Sequence, residues 1–196
     1  MKIELLTSHE TLKAMEHNAC EAALTCHGNA DKPDYEPEKT LRRIIKLGHE
    51  SVLEHITLTY RVQGITRALL QELARHRHIS LSVESTRHTL KKLLNSEEFI
   101  TNLAKELPYY QSIACKQFFD FINTLPETTN DELKYFIPEF FPTRLILTVN
   151  IRELRHILEL RTRPAALMEF RKLGVKLFEV VHDELKYLLE DCVYVR

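Results

Sequence analysis

At 196 residues, with 44% of them hydrophobic and only 4 Gly and 7 Pro, the chain has the material for a packed core and little for long disordered tails. Its 27 Lys and Arg against 28 Asp and Glu give a formal charge of -1. That excludes a protein whose whole surface is basic for nucleic acid, so any anion site must be local.

The opening "MKIELL" alternates polar and apolar as a short half-buried strand does, and "TSHE" after it has the T-x-x-E pattern of a capping box. Leu12, Met15, Ala19, Ala22, Ala23 and Cys26 then recur at helical spacing, predicting a helix of about four to five turns. A loop over "HGNADKPDYEPEK" leads to a second helix marked by Leu41, Ile44 and Ile45 and stopped by Gly48. In "ITLTYRVQG", Leu58, Tyr60 and Val62 face one side and Thr57, Thr59, Arg61 and Gln63 the other, which predicts a strand. From Thr66 the pattern is helical through Leu69, Leu70 and Leu73, so Arg75, His76 and Arg77 fall at a helix end. Beyond His78, Ser80, Ser82, Ser85 and Thr86 predict an extended, hydroxyl-rich loop.

"NSEEFITNLAKEL" and "PYYQSIACKQFFDFINTL" read as helices ended by Pro108 and Pro126, followed by a short helix over 131–136. "TRLILTVN" has the density of a buried strand, and Asn150 can cap the helix from Ile151 to Arg161. Pro164 suggests a further helix start and an amphipathic run to about Leu189. The mixture predicts an α+β domain with a small sheet and five or more helices, without repeat or linker, hence one domain over 1–196.

The N-terminus lacks the apolar stretch of a signal peptide, and no run approaches the roughly 18 apolar residues of a membrane span. Cys20, Cys26, Cys115 and Cys192 form no C-x-x-C pair. The expectation is a reduced, cytoplasmic chain with no membrane partner.

The stretch "RHRHISLSVESTRH", residues 75–88, concentrates three arginines, three histidines and four hydroxyl side chains. Adjacent helical residues point about 100° apart, so Arg75, His76 and Arg77 must serve different neighbours. Arginines bracketing hydroxyls suit a phosphate; the same residues also suit a solvated helix end, where cations are favoured by the macrodipole. In "NIRELRHILELRTR", Ile151, Leu154, Leu158 and Arg161 fall on one side, because offsets of 3, 7 and 10 return to the same face. An arginine completing an apolar stripe needs an anion or hydrogen-bonding partner, or must snorkel to water. Arg152, His156 and Glu159 share another side, as an ordinary surface face also would. Five of the ten histidines lie between 49 and 88, but His76-x-His78 has no fixed carboxylate or Cys partner in the sequence and no H-E-x-x-H occurs, so no metal is expected. The Gly-rich phosphate loops are absent too.

Arg75-His76-Arg77, seven residues, then Ser85 resembles the R-H-R-x7-S signature of the flavin-dependent thymidylate synthases. "GHESVLEH" upstream, Arg87 after the serine and "TVNIRELRHILELR" extend the resemblance in order over most of the chain. It implies a mostly antiparallel sheet in a homotetramer with sites shared between subunits. It implies FAD as cofactor and synthesis of dTMP from dUMP, with methylenetetrahydrofolate as one-carbon donor, NADPH as reductant and hydride delivered from flavin. His55, Thr57, Arg75, His76, Arg77, His78, Asn150, Arg152 and His156 would lie along FAD. Glu72, Arg75, Ser85, Thr86, Arg87, Lys134 and Arg161 would hold dUMP. Arg161 would also be catalytic, stabilising the uracil ring as its N3 proton is lost.

Four positions depart from the family pattern: Glu72 for a usual Gln, Val83 for a usual Glu, Lys134 for an Arg, and His156 for an Asn. Lys keeps the charge of Arg but loses its bidentate fork. Other readings of the same residues are an RNA- or polyanion-binding module, a histidine-based metal hydrolase, and a family member that binds flavin without turnover. The neutral charge and the scarcity of aromatics beside residues 75–88 count against the first of these.

Overall fold

Strand β1 (Lys2–Leu5) pairs antiparallel with β2 (Thr57–Thr66), Lys2 facing Gln63 and Leu5 facing Tyr60. With β3 (Ile79–Val83) and β4 (Pro142–Asn150) they form one four-stranded sheet of order β1-β2-β4-β3. The computed structural model describes residues 1–29, 35–96, 99 and 109–194. The expected helix over "NSEEFITNLAKEL" lies largely outside the described residues.

The helices are α1 (His9–Cys26), α2 (Pro37–Lys46), α3 (Arg67–Leu73), α4 (Thr86–Leu94), α5 (Tyr109–Ile122), α6 (Asn130–Leu133), α7 (Ile151–Arg161) and α8 (Met168–Glu179). Short 3-10 turns run over Glu50–His55, Lys134–Phe136, Asp183–Leu188 and Glu190–Cys192. The chain divides into two compact units: Met1–Ile65 with Leu69–Ser82 and Arg144–Arg196, and Thr66–Ala68 with Val83–Thr143.

The first unit buries Leu58, Tyr60 and Val62 of β2, Leu147 and Val149 of β4, and Ile151, Leu154 and Leu158 of α7 in one core with Leu12, Leu41, Phe170 and Leu173. These are the inward faces that period-two and helical spacing predict. At Gly64 (φ 71°) the buried side of β2 shifts from even to odd residues, so that Ile65 rather than residue 64 points inward. A one-residue phase slip at a positive-φ glycine is the signature of a bulge. The 3-10 turn Glu50–His55 packs on both α1 and α7, which brings its acidic residues to the N-terminal half of α7. The second unit has a smaller core of Leu90, Leu94, Cys115, Phe119, Leu133 and Phe141.

Several local expectations are corrected. The cap of α1 is Ser8, whose hydroxyl accepts from the Thr11 N–H, and not Thr7 with Glu10. Thr7 is drawn elsewhere: its hydroxyl accepts the Thr59 N–H at 2.8 Å. Helix α2 begins at Pro37, inside the expected loop, using proline at the first helical position. Gly48 does end that helix: its N–H bonds to the Ile45 carbonyl and that of His49 to Ile44, the paired bonds of a Schellman motif.

The expected extended loop over 79–88 is instead β3 followed by α4, with Ser85 at the N-cap. Ile79 and Leu81 pack on the first unit's core while Ser80 and Ser82 face out, so the hydroxyls occupy the outer face of a strand. The last helix starts at Met168 and not at Pro164, because residues 163–166 form a turn closed by the Ala166 N–H on the Arg163 carbonyl. The run to Leu189 is broken after Glu179, where the β-branched pair Val180 and Val181 precedes a 3-10 turn.

Gly174 lets α8 approach α7 closely. A Cβ there would meet Thr162 Cγ2 at 2.8 Å and Leu158 Cδ2 at 3.5 Å. Thr162 cannot easily rotate away, since its hydroxyl donates to the Leu158 carbonyl and accepts the Tyr194 N–H. Gly174→Ala is expected to destabilise the protein despite alanine's helix preference of about 1 kcal/mol, because overpacking costs about 1–3 kcal/mol. Chemical denaturation of the variant checks this.

Candidate functional site

Beyond Leu73 the chain leaves α3 in a tight turn, with the N–H groups of Arg75 and His76 bonded to the carbonyls of Glu72 and Leu73. The turn sends His76 inward, 8% exposed, and leaves Arg75 and Arg77 exposed. His76 Nδ1 lies 3.2 Å from Glu153 Oε1, and its Nε2 lies 3.1 Å from Arg161 Nε. Arg161 completes the apolar stripe of α7 as its spacing requires. Its guanidinium reaches Glu72 Oε2 at 3.4 Å and covers the Phe170 ring at 5.0 Å. Glu72 also lies 3.6 Å from Arg75, so one carboxylate stands between two arginines.

Burial, then the adjacent Arg161 and His156 charges, pushes the His76 imidazole below its ordinary pKa, with Glu153 opposing them. His76 is therefore neutral at neutral pH. The sequence reading of His76-x-His78 as lacking a carboxylate partner is corrected by Glu153. Among the described residues, no group of three or more His, Cys, Asp or Glu is placed to hold a metal ion.

Beside this cluster, within the same unit, is a cleft of about 510 Å³ lined by His78, Asn150, Arg152 and His156 together with Glu50, Glu54 and Glu159. Asn150 is fixed by capping α7, its Oδ1 accepting the Glu153 N–H at 2.8 Å. Arg152 bonds to Glu54 at 2.5 Å, both half exposed. Such a pair is worth about 0–1 kcal/mol, so Arg152 can exchange Glu54 for a phosphate at little cost. His55 ends the 3-10 turn and is exposed, and Thr57 opens β2 with its N–H on Met15 Sδ. Neither lines this cleft.

Ser85, Thr86, Arg87 and Lys134 lie in the second unit. Ser85 occupies the N-cap of α4 without its hydroxyl making a capping bond, and is exposed. Thr86 is buried. Arg87 grips Asp131 through a bidentate fork at 2.7 and 2.9 Å. That fork holds the Asp131 carboxyl below the usual range, with the Lys134 charge adding to it.

The sequence reading missed Glu153, Asp131 and Arg155. Arg155 is 5% exposed and bonds to Glu50, Asp191 and the Leu188 carbonyl. Its spacing of four from Ile151 and three from Leu158 puts it at the border of the apolar stripe, which was the available signal.

The sequence matches the family described as Thymidylate synthase complementing protein over residues 6–185. It is 37% identical to the flavin-dependent thymidylate synthase of Campylobacter jejuni, over 99% of this chain and 98% of that one. The protein of the same name from Wolinella succinogenes is 38% identical over 91% and 96%. The chain belongs to the flavin-dependent thymidylate synthase family. A crystal structure of thymidylate synthase X from Helicobacter pylori with FAD and dUMP superposes with a TM-score of 0.81 and 28% identity, covering all of both chains. The small sheet with its surrounding helices is thus the fold of this synthase family, as expected from the R-H-R-x7-S stretch. No described helix is long and apolar enough to cross a membrane.

Proposed function

We propose that the chain is an FAD-dependent enzyme making dTMP from dUMP, with methylenetetrahydrofolate as one-carbon donor and NADPH as reductant, and that residues 1–196 act as one domain in the cytoplasm. The observation that carries this reading is the convergence of His78, Asn150, Arg152 and His156 on one cleft beside the His76 and Arg161 pair, in a chain of this family. The donor set fits the cofactor: a displaceable guanidinium for a diphosphate and two imidazoles for its polar edges. Reduced flavin, when bound, supplies hydride to the pyrimidine. The remaining FAD contacts are assigned to His55, Thr57, Arg75, His76 and Arg77.

The chain's own part is electrostatic. Arg161 holds positive charge where the uracil ring turns negative on losing its N3 proton, and its setting between Phe170 and His76 keeps it partly shielded from water, where such charge counts most. Glu72, Arg75, Ser85, Thr86, Arg87 and Lys134 complete the dUMP set. Ser85 is assigned to binding, since a hydroxyl without a base partner is a poor nucleophile. Ser85→Ala should therefore raise KM for dUMP by about tenfold, the worth of one hydrogen bond to a charged group, with kcat nearly unchanged; loss of all turnover at saturating dUMP would overturn the binding assignment and make Ser85 a nucleophile.

A homotetramer is part of the proposal. It is supported by apolar side chains at Leu160, Leu167 and Met168, which are 46%, 46% and 65% exposed around the end of α7 and the start of α8. Light scattering on the purified protein tests it. A second reading, a flavin binder without turnover, is favoured by Glu72, whose carboxylate occupies Arg161 where the family usually has Gln. One titration tests both ligands: retained flavin bands that shift on adding dUMP support a shared site, and a colourless, unresponsive protein overturns it. A turnover assay then separates enzyme from binder.

A further inference from the structure

We propose that Glu153 is a positioning residue that fixes the tautomer of His76 and, through it, the guanidinium of Arg161. The proposal rests on the reading of Arg161 as the residue that faces the pyrimidine. An arginine Nε carries a hydrogen and accepts nothing. At 3.1 Å from Arg161 Nε, His76 Nε2 must be the acceptor. The ring hydrogen then sits on Nδ1, and the atom 3.2 Å from it is a carboxylate oxygen of Glu153, which can only accept when ionised. Carboxylate, neutral imidazole and guanidinium thus form a chain with one consistent direction of donation.

The opposite tautomer would set N–H against N–H at Arg161 and a bare lone pair against Glu153. An imidazolium would keep the Glu153 bond and lose the Arg161 bond. His76 is 8% exposed and the Glu153 side chain 11%, so water is poorly placed to repair either mismatch. Glu153 is itself anchored, because its N–H is held by the Asn150 cap. Among the described residues, the groups facing His76 are Glu153, His156 and Arg161 of α7 and the uncharged Phe170 of α8 (ring centroids 5.8 Å apart), and Glu72 of α3 pairs in turn with Arg161. Apart from Glu153, each charge facing His76 disfavours a second ring proton, so the chain persists as pH falls to the ordinary histidine range.

An acid in the first turn of a helix also stabilises the helix end without regard to any histidine, and the two roles separate on substitution. In Glu153→Gln the amide oxygen still accepts from Nδ1, whereas Glu153→Leu keeps the bulk and removes the acceptor. The experiment is long-range proton–nitrogen correlation on full-length protein labelled with ¹⁵N-histidine, with His76 assigned by His76→Asn, run beside steady-state kinetics. Wild type and Glu153→Gln should show the Nδ1–H tautomer, and Glu153→Leu should lose it. The Leu variant should drop kcat/KM for dUMP about 10- to 100-fold, as misplaced catalytic groups do, and the Gln variant only about threefold.

The same His76 tautomer in all three proteins, or Nε2–H in wild type, would overturn the proposal. A wild type that makes no dTMP would remove the synthase reading but leave the tautomer measurement standing, so the two failures are distinguishable.

Discussion

Arg161→Ala leaves a protein that folds and retains flavin but forms dTMP at least about 10²–10³-fold more slowly, the loss that follows removal of one preorganised electrostatic donor. Four interactions that help the folded state go with the side chain, the first being the hydrogen bond of its Nε–H to His76, worth about 0.5–1.5 kcal/mol. Its charge at the C-terminus of α7 is worth about 0.3–1 kcal/mol, its position over Phe170 about 0.5–1 kcal/mol, and its pair with the 35% exposed Glu72 little. None threatens the core, because the apolar members of the stripe, Ile151, Leu154 and Leu158, are untouched. Of the assigned flavin contacts His76 loses its bond to Arg161, but His78, Asn150, Arg152 and His156 lie in a cleft that Arg161 does not line. A dTMP assay run beside the flavin spectrum and a thermal melt separates chemistry from folding; normal turnover in a well-folded variant would refute the assigned role.

The parts of this site legible in the sequence were those that depend on one element at a time. Arg75, His76 and Arg77 do diverge, with His76 inside and its two neighbours out, but they lie in the turn beyond α3, so the turn and not helical separation directs them. Offsets of 3, 7 and 10 put Arg161 on the buried side of α7, with a partner as its charge demands. What stayed hidden depends on two elements meeting. Glu153 is 77 residues from His76 in sequence, and nothing in either segment announces the other. Asp131 and Arg87 pair across 44 residues in the same way.

The fold divides similarly. Period-two and helical spacing placed β2, β4, α1 and α7, because each has a full apolar face. The alternation of Ile79 and Leu81 with Ser80 and Ser82 is the same signal in a shorter segment, outweighed in the sequence reading by the hydroxyls. For α4, a serine cap followed by Leu90, Leu93 and Leu94 was the available pattern. Tertiary competition decided the cap of α1, where Thr7 serves β2 and leaves the helix to Ser8.

The largest stability effect should come from Arg155→Ala. Four hydrogen bonds from one guanidinium, at 2.6–2.9 Å, tie α7 to Glu50 of the 3-10 turn, to the Leu188 carbonyl and to both carboxylate oxygens of Asp191. The arginine side chain is 6% exposed, whereas Glu50 is 29% and Asp191 51% exposed. Breaking a buried pair costs about 3–5 kcal/mol. The low end applies because Asp191 can rehydrate, leaving Glu50 and the Leu188 carbonyl to carry most of the penalty. For a chain of this length about 3 kcal/mol lowers Tm by roughly 6–12 °C. The pH dependence follows from Asp191, whose carboxyl Arg155 holds below its ordinary pKa. A depressed carboxylate stabilises the fold above its unfolded pKa and loses that contribution as pH falls through the folded value. Wild type should therefore lose stability on acidification below about pH 4, while the variant, lacking the pair, loses less. Thermal melts of both proteins at neutral pH and down through that range measure the gap and its closure. A gap near zero at neutral pH would mean that the network forms without contributing net stability, as exposed ion pairs do, and that α7 is held by its apolar stripe alone.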